Sequence, residues 1–188
     1  VDADLCASCG ICVGACPSST PFRSAAELVT GIDMPSAPIG ALRRRLQHAL
    51  AAMDPRAPRL VVFGCDHGAR LSKLAAPDVA TFSLLCSGQL PPSFVEVALR
   101  DGADGVLITG CRGAGCEFRL GSRWSADRIT GRREPHLRAR APRERVAVAW
   151  ADRGQEDAVA AALQQLRTRV HQLHLTAPAK PLVVPAHG

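Results

Sequence analysis

The chain has 188 residues, 47% of them hydrophobic, enough for one full domain with a buried core plus a small appendage. Its 23 Lys plus Arg stand against 17 Asp plus Glu, for a net charge of +6; with no Tyr and only two Trp there is no base-stacking partner for the arginines, so the basic surface points to acidic protein partners and away from nucleic acid. No apolar run approaches the roughly 18 to 20 residues of a membrane span, and no charged-then-apolar leader precedes the first cysteine, so no direct membrane insertion is expected and the cysteines read as metal or redox groups of a cytoplasmic protein.

Taken in chain order, residues 1–33 read as a loop-rich segment built around Cys6, Cys9, Cys12 and Cys16. It is too poor in large apolar groups to fold on burial alone and needs a cluster to organise it. The spacing is C-x2-C-x2-C-x3-C-P, closed by Pro17, the run that wraps a [4Fe-4S] cluster in bacterial ferredoxins. A zinc site would pair its cysteines two by two and does not need four of them in so short a stretch. In two-cluster ferredoxins the fourth cysteine of such a run serves the other cluster. Either Cys16 completes a single cluster here, or it belongs to a twin upstream; the start at Val1 rather than Met favours a piece cut from a longer polypeptide.

Residues 34–57 carry a linker or docking helix, with Pro38 in its first turn and Ile39, Leu42, Leu46, Leu50 and Met53 on one face. Asp54-Pro55-Arg56-Ala57-Pro58 ends it. From 58 to 175 short β-rich runs alternate with helical stretches, the pattern of an α/β domain with a mostly parallel sheet of about four strands and crossover helices. The expected strands are Leu60–Phe63, Val79–Leu85, Asp104–Thr109 and Val146–Trp150. Short helices are expected over Ala69–Ala75, Pro91–Arg100 and Ser125–Thr130, an exposed loop from there to Arg145, and a long amphipathic helix over Glu156–Leu173. Residues 176–188 are expected as a disordered tail.

Within this domain Cys65, Cys86 and Cys111 each follow the end of an expected strand, and Cys116 follows Cys111 through Gly113 and Gly115. The carboxyl ends of parallel strands share one edge, and ligands bind in the crevice outside it. Four thiolates delivered there make a metal site, and the spacing leaves [2Fe-2S], a second [4Fe-4S] and zinc all open. The alternatives are inert buried thiols and His67 as a rival ligand in Cys65-Asp66-His67-Gly68.

The blocks Cys86-Ser87-Gly88, Pro92-Ser93-Phe94-Val95, Asp101-Gly102-Ala103-Asp104-Gly105-Val106 and Gly110-Cys111-Arg112-Gly113-Ala114-Gly115-Cys116-Glu117-Phe118-Arg119-Leu120-Gly121 closely resemble the delta, or iron-sulfur, subunit of methyl-viologen-reducing hydrogenases. The resemblance covers about residues 58 to 175. It implies a [2Fe-2S] cluster on Cys65, Cys86, Cys111 and Cys116, and electron transfer between a hydrogenase, or another donor module, and a heterodisulfide-reductase-type flavoprotein. The chain departs from the family where a second cysteine of a C-x2-C is replaced by Gly68, where an aspartate is Gly115, and where a His-Tyr pair is Glu117-Phe118. The front run resembles ferredoxin modules fused ahead of this subunit.

These features together predict an electron relay with two centres, working as a subunit or domain of an oxidoreductase complex with redox protein partners. No nucleophile and base pair, nucleotide fingerprint or open metal site is legible, so no independent catalysis is expected. The rival from another class is a zinc-binding structural or regulatory module whose basic face recruits a partner. A third reading is a catalytic thiol, for which Cys65 beside Asp66-His67 is the candidate.

Overall fold

The computed structural model describes residues 37–139 and 141–176. The front run Cys6, Cys9, Cys12 and Cys16 and the tail beyond Thr176 lie outside the described residues. In chain order the elements are α1 (Ile39–Ala52), β1 (Leu60–Cys65), β2 (Val79–Leu84), α2 (Pro92–Arg100), β3 (Gly105–Gly110), α3 (Gly121–Thr130), β4 (Val146–Trp150) and α4 (Glu156–Thr176). The four strands form one all-parallel sheet in the order β2-β1-β3-β4, the α/β class expected from the alternation of strand and helix patterns. Among the described residues no helix is long and apolar enough to cross a membrane.

The central strands are buried on both faces. In β1, Val61 and Phe63 face one core while Leu60 and Val62 face the other; in β3, Val106 and Ile108 oppose Leu107 in the same way. Helices on both sides cover this doubly apolar ribbon, as a parallel sheet requires. On one face lie Ile39, Leu42, Leu46 and Leu50 of α1 with Phe94, Val95 and Ala98 of α2. On the other lie Val159, Leu163, Leu166 and Val170 of α4. The helix that reads from sequence as a linker or docking helix buries its apolar stripe in the same core as Phe63 and Phe94.

Two local expectations are corrected. The stretch 69–75 contains only a single 3₁₀ turn, Leu71–Leu74, because Pro77 follows and the whole crossover from β1 to β2 has residues 66–78 to work with, about the minimum for joining parallel strands. The helix expected from Ser125 begins four residues earlier, at Gly121, and the loop behind it is not wholly exposed. Leu137 is buried in the core, Arg143 donates to the carbonyls of Ile129 and Leu137 at 3.0 and 3.2 Å, and Arg138 pairs with Glu96 on α2.

The first crossover is held to α4 by Glu156. Its carboxylate accepts from the backbone amides of Arg70 and Gly154 at 3.1 Å each and from the Lys73 ammonium at 2.9 Å. The Lys73 bond first, then the two amides, hold its pKa down to about 2 from 4.5. A carboxylate whose pKa is depressed on folding adds stability that is complete above the unfolded value and fades as pH falls. Glu156→Gln therefore lowers the melting temperature at pH 7, and the gap from wild type closes between pH 4.5 and about 2. Thermal unfolding followed by circular dichroism at a series of pH values checks this; a gap that stays constant down to pH 2 contradicts it.

Candidate metal centre

Sheet order decides where the cysteines meet. The chain runs from β1 outward to β2 and then returns to the opposite side of β1 as β3, so connections leave the carboxyl ends of β1 and β3 in opposite directions and open a crevice between them. Cys65 is the last residue of β1 and Cys111 follows directly on β3. Leu85 and Cys86 leave β2 at the same edge, and a 3₁₀ turn, Gly113–Gly115, folds the chain back so that Cys116 returns to the rim. Cys65, Cys111 and Cys116 form a contact cluster of their own, 2, 2 and 7% exposed. Cys86 is half-buried, and all four thiols are free of disulfides.

The fourth thiol closes the group. The Cys65 sulfur is within hydrogen-bonding reach of Cys86 and Cys111, and Cys111 in turn of Cys116. Backbone amides line the nest: His67 donates to the Cys65 sulfur at 3.4 Å and Gly88 to the Cys86 sulfur at 3.3 Å. Ser87 also serves Cys65, Glu117 serves Cys111, and Phe118, Gly121 and Ser122 serve Cys116. Two of these amides belong to the first turn of α3, where unpaired N–H groups and the helix dipole favour negative charge.

The free thiols do not titrate alike. The Cys86 thiol donates to Cys65 and draws it down to about 5 against the opposing effect of burial, helped by the amides of His67 and Ser87 and by Cys111. Cys86 is correspondingly raised, first by that same bond and then by burial. Burial, followed by donation to Cys116, pushes Cys111 up to about 12. Burial is also the strongest influence on Cys116, but the amides of Ser122, Phe118 and Gly121 and the Cys111 thiol together outweigh it, and Cys116 is lowered. Binding through all four sulfurs would release the protons that the thiols carry.

Space around the sulfurs is closed by Gly121. A Cβ built there would lie 2.3 Å from the Cys86 sulfur and 3.6 Å from that of Cys116, a cradle that any side chain would fill. Among the described residues no three Cys, His, Asp or Glu side chains are disposed to hold a single metal ion. The donor set itself is four soft sulfurs with converging amide N–H groups, chemistry that suits iron-sulfur clusters and zinc alike.

His67, the rival ligand, contributes its amide to Cys65 while its exposed ring stands edge-on to Phe118, with centroids 6.0 Å apart. The amide donors of Ser87, Gly88, Gly121 and Ser122 were not legible from side-chain chemistry, because an N–H group carries no residue signature; the glycines at 88 and 121 were the one available hint.

The family described as methyl-viologen-reducing hydrogenase, delta subunit, matches residues 60–174. The iron-sulfur subunit of the F420-non-reducing hydrogenase vhc from Methanococcus voltae is 39% identical over 46 residues, 24% of this chain and 32% of that protein. The corresponding iron-sulfur subunit of the F420-non-reducing hydrogenase from Archaeoglobus profundus is also 39% identical over 46 residues, 24% of this chain and 34% of that protein. A subunit of the ferredoxin:CoB-CoM heterodisulfide reductase from Methanosarcina mazei is 34% identical over 61 residues, 32% of this chain and 8% of that protein. The chain therefore spans only about a third of the two hydrogenase proteins in these matches. With the family match extending from the first residue of β1 almost to the end of α4, and so enclosing all four clustered thiols, the chain belongs to the methyl-viologen-reducing hydrogenase delta subunit family.

Proposed function

We propose that this chain relays electrons through iron-sulfur centres between redox protein partners in a hydrogenase and heterodisulfide-reductase type of complex in the cytoplasm. The observation that carries the reading is the meeting of four free cysteine sulfurs at the carboxyl rim of the sheet, with amide N–H groups directed at them. The names of relatives as iron-sulfur subunits of a hydrogenase, and of another as part of a heterodisulfide reductase, support the iron and the kind of complex.

In this proposal Cys65, Cys86, Cys111 and Cys116 hold a [2Fe-2S] cluster, and Cys6, Cys9, Cys12 and Cys16 hold a [4Fe-4S] cluster in the ferredoxin-type segment, with Cys16 serving either that cluster or one upstream. Such clusters accept and release single electrons at potentials set by hydrogen bonds to sulfur, net charge and burial. The chain supplies those settings at the rear site. The amides of His67, Ser87 and Gly88 and those of the first turn of α3 offset the negative charge of the thiolates, and burial of Cys65 and Cys111 keeps water from the sulfurs. No side chain is assigned a role in bond making.

Anaerobic reconstitution with iron and sulfide tests the reading. Wild type is expected to bind iron with acid-labile sulfide at both sites and to give reducible electron paramagnetic resonance signals of two cluster types. Cys111→Ser is expected to remove or severely weaken the [2Fe-2S] signal and leave the [4Fe-4S] signal in place. Zinc without labile sulfide in the rear domain would overturn the proposal in favour of a structural module.

A further inference from the structure

We infer that the rim around the clustered thiols is a docking face for an acidic redox protein. This rests on the relay reading and goes beyond it by locating the surface and the charge of the partner.

Exposed apolar side chains gather at this rim. Of the six large hydrophobic residues exposed among the described residues, Leu85, Phe118 and Leu120 adjoin the thiols or Gly121, which packs against the Cys86 sulfur, and Trp124 closes the first turn of α3. Leu85 precedes Cys86, the least buried of the four thiols, Phe118 follows two residues after Cys116, and Leu120 adjoins Gly121. Single exposed apolar groups are ordinary, but several gathered at one place mark an interaction surface.

The backbone holds these side chains outward at a cost. Arg119 adopts φ +59°, a left-handed conformation that penalises a residue with a Cβ by about 1 kcal/mol or more. The tight turn is fixed by the Arg119 amide donating to the Cys116 carbonyl at 2.9 Å and the Leu120 amide donating to the Phe118 carbonyl at 2.6 Å. As a result Phe118 is 47% exposed while its own amide serves the Cys116 sulfur. The loop that presents the apolar group is the loop that supports the thiol.

Charge selects the partner. Arg112, Arg119, Arg123, Arg132, Arg133 and Arg153 are exposed on these segments and on the turn after α3 and outnumber the carboxylates beside them, Asp66, Glu117, Asp127, Glu134 and Asp152. Asp127 is already shared by Arg123 and Arg132, and Arg133 stacks on the Trp124 ring at 4.4 Å. The Arg112 and Arg119 side chains have no ion-pair partner among the described residues. Apolar groups interspersed with exposed arginines, on a chain of net charge +6, suit a negatively charged protein surface, where the arginines steer encounter and the apolar groups make the contact.

The test uses the full iron-loaded chain and, as probe, a small ferredoxin of strongly negative net charge. Calorimetric binding is expected to weaken by about tenfold or more between low salt and roughly 0.5 M salt. The double variant Arg112→Glu with Arg119→Glu is expected to weaken it comparably at low salt, with an unchanged circular dichroism spectrum. A photo-cross-linking residue in place of Leu120 is expected to capture the ferredoxin. Affinity indifferent to both salt and charge reversal overturns the inference, as does capture of residues 1–36 or of a second copy of the chain in place of the ferredoxin. Reduction by the dye methyl viologen separates this from the relay itself. If the dye reduces the chain but the ferredoxin does not bind, the docking face falls and the relay stands; if the ferredoxin binds as expected but neither donor reduces the chain, the relay falls and the docking face stands.

Discussion

Gly121→Ala is expected to empty the rear site while leaving the sheet folded. The added methyl would sit 2.3 Å from the Cys86 sulfur, far inside van der Waals contact, and the residue opens α3, whose first-turn amides serve Cys116. Relief requires Cys86 to rotate out of the nest or α3 to withdraw, and either movement breaks the convergence of the sulfurs. Substitutions in the shell supporting a metal site cost about 10- to 100-fold in metal affinity, and this one acts directly on a sulfur. Iron and labile sulfide measured per chain after reconstitution should fall to the content of the front segment alone, with far-ultraviolet circular dichroism unchanged. Full rear-site occupancy in the variant would show that the Cys86 sulfur lies elsewhere when loaded.

The largest loss of stability is expected from Phe63→Ala. Phe63 sits at the middle of the sheet on β1, fully buried, with its ring 5.4 Å from that of Phe82 on β2 and 5.8 Å, edge-on, from that of Phe94 on α2. One side chain therefore ties two strands to the covering helix. Truncating a buried phenylalanine costs about 3 to 5 kcal/mol in lost transfer energy and residual cavity, against a total stability of about 5 to 15 kcal/mol for a domain. Because β1 also ends in Cys65, loss of this packing should weaken the metal site through the scaffold. Urea unfolding should show a midpoint well below wild type, and iron retention at a fixed moderate urea concentration should drop with it. A change under about 1 kcal/mol would mean that the core collapses around the gap.

Much of the fold was legible along the chain because burial leaves a period. Runs such as Leu60-Val61-Val62-Phe63 and Val106-Leu107-Ile108, apolar on both faces, indicate strands covered from both sides, and the structure buries every residue of β1 and β3. The fourth strand falls at Val146–Trp150 as read. The start of α3 was not legible: Gly121-Ser122-Arg123 has no apolar stripe, although Gly121 and Ser122 are buried there. Nor did Leu137 stand out, a single apolar residue in an arginine-rich loop that the core nevertheless takes up.

By itself the sequence determined the class of the sheet, the doubly apolar strands at its centre and the four cysteines placed at or beyond strand ends, since each follows from local pattern and composition. Only the tertiary structure decided the strand order, which sets β1 beside β3 and so brings Cys65 and Cys111 together, and the return of α3 over Cys86 and Cys116. The physical reason is that a strand's pattern records how deeply it is buried but not which strand it pairs with. The distances between thiols, and the amides that meet them, depend on that pairing.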